Sequence, residues 1–233
     1  MKYKEIVQGI FIERLNRFVA KVEINNSIEL VHVKNTGRCR ELLLPKATVY
    51  LEYINDSNRK TKYDLIAVEK IKVNGEILLI NMDSQVPNVV ALDYLKKSNL
   101  FSKTATFKRE VTYKNSRFDI FIEDLANSKK AFVEVKGVTL EDNGIVKFPD
   151  APTERGVKHI NELVASLEDG FEAYIFFVIQ MKNVNAFMPN DLMHKEFGQA
   201  LRNAVNKGVK VIAMDCVVTN NSIQVDKDVK VIL

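Results

Sequence analysis

Cysteine is nearly missing from this chain: Cys39 and Cys216 are the only two in 233 residues. Two thiols are too few for a disulfide framework or a structural zinc site. Histidine is almost as scarce, and His32, His159 and His194 lie far apart without ligand spacing. Long apolar runs are lacking too. The longest, "AYIFFVI", is far shorter than the roughly 20 residues a membrane helix needs. The opening "MKYKEIVQGIF" has no apolar stretch of signal-peptide type. These absences set the expectation of a soluble, cytoplasmic protein with no membrane partner. No internal repeat, low-complexity segment or nucleotide-phosphate loop of the sugar-kinase kind is found. Neither sign of charge dominates: 34 Lys and Arg against 30 Asp and Glu give +4. That excess permits a nucleic-acid partner without requiring one, so the placement of charge decides.

What is present is ordinary for a globular fold, with 46% hydrophobic and 27% charged residues. The length suits one large domain or two modest ones. The first third reads as short strands: "IVQGIFIE", "FVAKVEI", a turn at Asn25-Asn26, "IELVHVK", "TVYLEYI", "YDLIAVEKIKV" and "EILLINM". The Asn74-Gly75 pair is a hairpin signal, and "NTGRCRELLLP" is a loop with room for one helical turn. Five or six strands in this span predict a small barrel of the OB type. The texture then changes. "NVVALDYLKKS" predicts a helix with Val89, Leu92 and Leu95 on one side, followed by strands "TFKREVTY", "RFDIFIE" and "AFVEVKG". "TERGVKHINELVASLEDG" predicts an amphipathic helix capped by Thr153, stopped by Gly170, and striped by Val157, Ile160, Leu163, Val164 and Leu167. "EAYIFFVIQ" is apolar on both faces, as a central strand should be. A helix over about 194–206 and a strand "VKVIAMDCVV" complete an α/β region. We therefore expect an α/β (α+β) two-domain chain: an OB-like barrel over 1–83, and over 84–233 an α/β domain with a mixed central sheet.

"AFVEVKG" holds a puzzle. Alternation places Phe132, Glu134 and Lys136 on one face and three apolar residues on the other. If the strand carrying Asp119 pairs beside it, Asp119 and Glu134 become neighbours. With the Val135 carbonyl they offer hard oxygen ligands to Mg²⁺ or Mn²⁺. Lys136 would orient water or stabilise charge on a phosphate, and Glu110 would be a further acidic partner. An Asp followed some fifteen residues later by Glu-x-Lys has the form of a PD-(D/E)xK nuclease core. The competing reading is a surface strand whose Glu and Lys pair in solvent.

Basic residues gather in two further places. Arg155, Lys158 and His159 fall on one helix flank, as phosphate contacts or as a solvated face with a Lys158–Glu162 pair. In the barrel, Arg14 and Arg17 flank a turn, while Asn35, Thr36, Gly37 and Arg38 form a tight polar loop suited to an anion. Arg117 stands beside Asp119 and joins the expected nucleic-acid contacts.

"RFVAKVE", "KNTGR", "SRFDIFIE", "VEVKGVTL", "FPDAPTERGVKHINEL" and "FMPNDLMHKEFGQALRNAVNKGVKV" together closely resemble the sugar fermentation stimulation protein A family over nearly the whole chain. The resemblance implies an OB-like domain joined to a PD-(D/E)xK-type domain, DNA binding without marked sequence preference, and a regulatory role in sugar metabolism. Asp119, Glu134 and Lys136 fall on its nuclease-like motif, and Asn35, Thr36, Gly37 and Arg38 on its Asn-Thr-Gly-Arg motif. Two positions depart: Lys34 stands where the family has Pro, and Gly137 where it has Asn. The first adds charge to the loop, and the second is expected to loosen the strand end. The expectation is a nucleic-acid-binding protein, double-stranded DNA foremost, with a metal site of nuclease type. Its rivals are a non-catalytic DNA-binding transcriptional regulator and a small-molecule sensor using the cleft between domains. Oligomeric state is left open, a homo-oligomer included.

Overall fold

The first six strands close on themselves. They are β1 (Ile6–Arg14), β2 (Val19–Ile24), β3 (Ser27–Val33), β4 (Thr48–Tyr53), β5 (Tyr63–Ile71) and β6 (Ile77–Asn81). A computed structural model, which describes residues 1–35 and 37–233, gives the sheet order β3-β2-β1-β4-β5-β6. A parallel β3–β5 pairing seals it into a five-stranded barrel, with β6 hanging from β5. Turn chemistry sets the register. Asn25 and Asn26 both take positive φ, 50° and 62°, the geometry a two-residue hairpin turn demands. Gly75 does the same at 83° between β5 and β6. Alternate residues then point inward, so Ala20, Val22, Val31, Val33, Val49, Leu51 and Leu65 fill the barrel. The loop after β3 makes its single helical turn at Cys39, whose carbonyl accepts from the N–H of Leu42 and Leu43.

The rest of the chain is organised around a mixed six-stranded sheet, ordered β15-β14-β12-β9-β8-β7. Its strands are β7 (Thr106–Tyr113), β8 (Ser116–Asp124), β9 (Lys129–Val138), β12 (Glu172–Ile179), β14 (Lys210–Thr219) and β15 (Ser222–Asp228). Strands β9, β12 and β14 run parallel; the remaining neighbours are antiparallel. Helix α1 (Val86–Lys97) covers one face and α2 (Glu154–Glu168) the other, with α3 (Lys195–Asn206) packed against α2. As the sequence predicted, the Thr153 hydroxyl accepts from Gly156 N–H at 3.0 Å and α2 ends before Gly170. Its Ile160, Leu163 and Val164 are buried, each side chain worth roughly 1.5–3 kcal/mol.

Three expectations change. Helix α1 buries Val86, Pro87, Val90, Ala91 and Leu95, and leaves Val89 38% exposed; its inward face is rotated from the one predicted. A second, four-stranded sheet appears that periodicity did not reveal. It is built from β10 (Leu140–Asp142), β11 (Ile145–Phe148), β13 (Ala186–Pro189) and β16 (Lys230–Val231), in the order β10-β11-β13-β16. Gly137 does not loosen β9. It stays paired with Val178 of β12, and a Cβ added there would stand 2.5 Å from the Gln180 amide oxygen and 2.7 Å from Pro87.

The barrel and the α/β region are stitched by buried polar groups. The Gln180 amide N–H₂ donates to Asn81 O, Asn81 Oδ1 and Asp83 O, each at 3.1 Å. Asn81 Nδ2 donates to the Tyr3 hydroxyl at 2.9 Å. Lys34 ion-pairs with buried Asp83 at 2.7 Å, so the departure from Pro adds no free charge. The first residues also reach across: Met1 N donates to Ile223 O and Tyr3 N to Asn221 O. Among the described residues no helix is long and apolar enough to cross a membrane.

Candidate active site

The β8–β9 ladder ends at the Ile120↔Val133 pair, and beyond it the strands part. Asp119 fills the gap. Its Oδ2 accepts from Val135 N–H at 2.7 Å in place of a backbone carbonyl, and its Oδ1 accepts from Asn88 Nδ2 on α1 at 2.8 Å. Glu134 lies beneath α2 with only 2% of its surface exposed, which overturns the reading of a solvated surface strand. Its Oε1 accepts from Lys136 Nζ and from His159 Nδ1, both at 2.5 Å. Its Oε2 is buried and has no hydrogen-bond partner among the described residues.

Both carboxylates are perturbed. Burial first, then the charge of Glu134, pushes the Asp119 carboxyl up to about 6. Burial also works against ionisation of Glu134. Hydrogen bonds from His159 and the charge of Lys136 outweigh it and hold that carboxyl below the usual range. A pair of neighbouring carboxylates, one reluctant to ionise and the other with an orphaned oxygen, is what a hard divalent cation would relieve. Among the described residues no three His, Cys, Asp or Glu side chains are gathered around one point, so such an ion would be completed by backbone or water oxygens. The donor set fits in that restricted sense.

Sequence reasoning misplaced His159. It is not on the solvated flank of α2 but buried, 5% exposed, between Glu134 and Arg155. Arg155 Nε donates to His159 Nε2 at 3.3 Å, so Nδ1 carries the proton given to Glu134. The available signal was helical: His159 lies four residues before Leu163 and three after the buried Gly156. Lys158 remains exposed, donating to Asn115 O at 2.7 Å, with Glu162 at 3.9 Å. Glu110 lies across from Asp119, between the Arg109↔Ile120 and Val111↔Phe118 pairs. Its φ of 56° is unusual for a non-glycine strand residue. Its side chain is exposed and paired with Arg117 at 2.8 Å rather than turned to the buried carboxylates.

The barrel's arginines divide sharply. Arg14 directs every guanidinium donor at backbone carbonyls: Asn16, Gly37, Arg38, Arg17 and Asn35. It has no N–H left for a phosphate, so its predicted contact role is replaced by that of a clamp on the 35–38 loop. Arg17 and Arg38 are exposed. Asn35 donates to Met82 O at 3.0 Å and accepts from Gly37 N–H at 2.7 Å, closing the loop on itself. Thr36 lies outside the described residues. Asn88, which sequence reasoning did not single out, completes the setting of Asp119. The cysteines are free and buried, and burial pushes both thiols up to about 12.

Two family models divide the chain. One described as "SfsA N-terminal OB domain" matches residues 12–80, and one described as "Sugar fermentation stimulation protein RE domain" matches residues 85–222. A sugar fermentation stimulation protein homolog of Ruminiclostridium cellulolyticum is 54% identical over 231 residues, 99% of each chain. One of Clostridium beijerinckii is 53% identical over 233 residues, the whole of both. Among solved structures, Pyrococcus furiosus SfsA, described as in complex with Ca²⁺, superposes with a TM-score of 0.84 at 27% identity. The match covers 100% of this chain and 98% of that one.

Proposed function

This chain belongs to the sugar fermentation stimulation protein family, and from that premise we propose that it binds nucleic acid, double-stranded DNA foremost, and hydrolyses phosphodiester bonds with a divalent cation. The observation that carries the reading is the buried Glu134 Oε2 without a partner, set beside Asp119 at the point where β8 and β9 part. Asp119, Glu134 and the Val135 carbonyl would hold Mg²⁺ or Mn²⁺; the Ca²⁺ of the Pyrococcus relative supports a divalent site of this kind. A bound cation supplies a Lewis acid that polarises a phosphoryl oxygen and acidifies water.

The protein's own groups do the rest. Lys136, now tied to Glu134, swings toward the phosphate and stabilises the charge that builds on it. His159 holds Oε1 of the Glu134 carboxylate and leaves Oε2 for the cation, and Arg155 fixes His159. Arg38, Arg117 and Lys158, all exposed, hold the backbone through charge and not through base edges, which predicts little sequence preference. The division near 83/84 belongs to this reading, with the barrel holding nucleic acid and the second unit carrying the acidic site. A role in regulating sugar metabolism, implied by the family's name, would act through the same binding. Cleavage assays on single- and double-stranded DNA and RNA with Mg²⁺ and Mn²⁺, beside Asp119→Ala, test the proposal. Metal-dependent product that disappears in Asp119→Ala supports it. Binding without cleavage on all four substrates gives the site to a non-catalytic regulator.

A further inference from the structure

A cleft lies where the barrel meets the α/β region, distinct from the carboxylate pair. It encloses about 380 Å³ and takes its walls from both sides: Arg17 and Asn35 from the barrel, Lys147, Phe148, Asp150 and Gln180 from the other. Its polar groups are under-used. Among the described residues Arg17 enters the hydrogen-bond network only through its carbonyl, which accepts from Arg14. Lys147 reaches no closer than 3.4 Å to Asp142. Gln180 spends its N–H₂ on Asn81 and Asp83, which leaves its amide oxygen as an acceptor in the wall. The Asp150 carboxylate stands 2.7 Å from where a Cβ on Gly37 would sit, so only glycine keeps that corner open. Phe148 is held between Phe177 and Phe197, at centroid distances of 5.9 and 5.1 Å, and lends the cleft a rigid aromatic edge.

Two cations against one carboxylate favour an anionic occupant. The amide oxygen and Asp150 ask the rest of that occupant for hydrogen-bond donors, and the aromatic edge for a planar ring. The volume is at the small end of ligand pockets, roughly 300–1,000 Å³, so it admits one nucleotide and excludes a duplex. The approach is basic: a second hollow lined by Arg14, Arg17, Arg38 and Arg40 shares Arg17 and Gly37 with the cleft. The cleft also lies at the carboxyl ends of parallel β9 and β12, one residue beyond Lys136, where open α/β sheets take their ligands. We propose that this cleft holds a single unpaired nucleotide of a nucleic-acid strand, with its phosphate between Arg17 and Lys147 and its base among Asn35, Gln180 and Asp150 against Phe148. The inference rests on the nucleic-acid reading above but not on hydrolysis.

Binding of the full chain is measured in EDTA, with a labelled short oligothymidylate and a labelled blunt hairpin duplex as probes. Ser84 lies exposed on the rim and among the described residues bonds only to Lys34 O, so Ser84→Trp plugs the cleft without entering the core. The expected result is a loss of about tenfold or more for oligothymidylate and a change within about twofold for the hairpin. Lys147→Ala should show the same bias to a smaller degree, and it carries the comparison if the tryptophan variant fails to fold. In wild type, thymidine monophosphate should displace the oligomer at concentrations where inorganic phosphate does not. Equal losses on both probes, or none, overturn the cleft assignment. Phosphate that competes as well as the nucleotide overturns it in favour of a bare anion site. A wild type that binds neither probe refutes the nucleic-acid reading itself.

Discussion

The 35–38 loop of the barrel and the carboxylate pair of the second sheet handle charge in opposite ways. In the loop, the structural work is done by one half-buried arginine: Arg14 saturates itself on five backbone carbonyls, while Arg17, Arg38 and Arg40 lie exposed on the surface. Those exposed cations are cheap to hold in water and weak individually. In the sheet, Asp119 and Glu134 are taken out of water beside each other, and part of their hydrogen-bonding capacity stays unmet. Keeping such a pair is unfavourable unless a cation arrives. Under the proposed function, the contrast separates a region that attracts a polyanion from one that reacts with it.

The sharpest way to break that comparison is Lys136→Ala. If the sheet region reacts and the loop attracts, cleavage should fall by roughly 10²–10³-fold while nucleic-acid affinity stays within about threefold. A titration run beside a cleavage time course reads both, and a matching loss in each would make Lys136 one more phosphate contact. Next in size is the division inside the loop. Arg14→Ala should destabilise the protein by about 1–2 kcal/mol in urea unfolding, because it removes the donors that hold the loop and water only partly replaces them. Arg38→Ala should change stability by less than about 0.5 kcal/mol and instead lower the slope of log affinity against log salt by about one. Similar behaviour of the two variants would erase the distinction between clamp and contact.

The smallest effect concerns pH. An unfolded Asp carboxyl loses its proton near 3.8, whereas folded Asp119 holds its proton up to about 6. In the metal-free protein the contribution of Asp119 to stability should therefore be fully present below that lower value and fall by on the order of 1–2 kcal/mol as pH rises through 6. Asp119→Asn should flatten this dependence. In wild type at pH 7, Mg²⁺ should raise the melting temperature by binding the ionised pair, and the substitution should blunt that rise. Identical melting curves in wild type and Asp119→Asn, with and without Mg²⁺, would remove Asp119 from the site.

Much of this organisation could be read from local signals. Hairpins at Asn25-Asn26 and Asn74-Gly75 depend on residues that tolerate positive φ. Helix α2 announces itself through Thr153, its apolar stripe and Gly170, all within one stretch of chain. The Asp119, Glu134 and Lys136 triplet was visible because strand alternation and the order of elements place the three near one another. The four-stranded sheet was not visible: its strands are two to four residues long, too short for alternation to register, and both pairings of β13 span long separations.

Sequence alone determined which residues are basic, which segments alternate, and where the chain turns, because each depends on neighbours a few positions away. It could not say that Arg14 clamps the loop while Arg38 stays exposed, since both read as arginines in polar loops. Nor could it say that Glu134 is buried under α2 with His159 against one oxygen and no described residue bonded to the other. Those facts follow from distant segments: β9 meets α2, Gln180 meets Asn81, and Asp150 meets Gly37. Charge and hydrogen-bonding capacity are properties of a residue. Whether water, a carbonyl or no partner at all satisfies them is a property of what the fold packs around it.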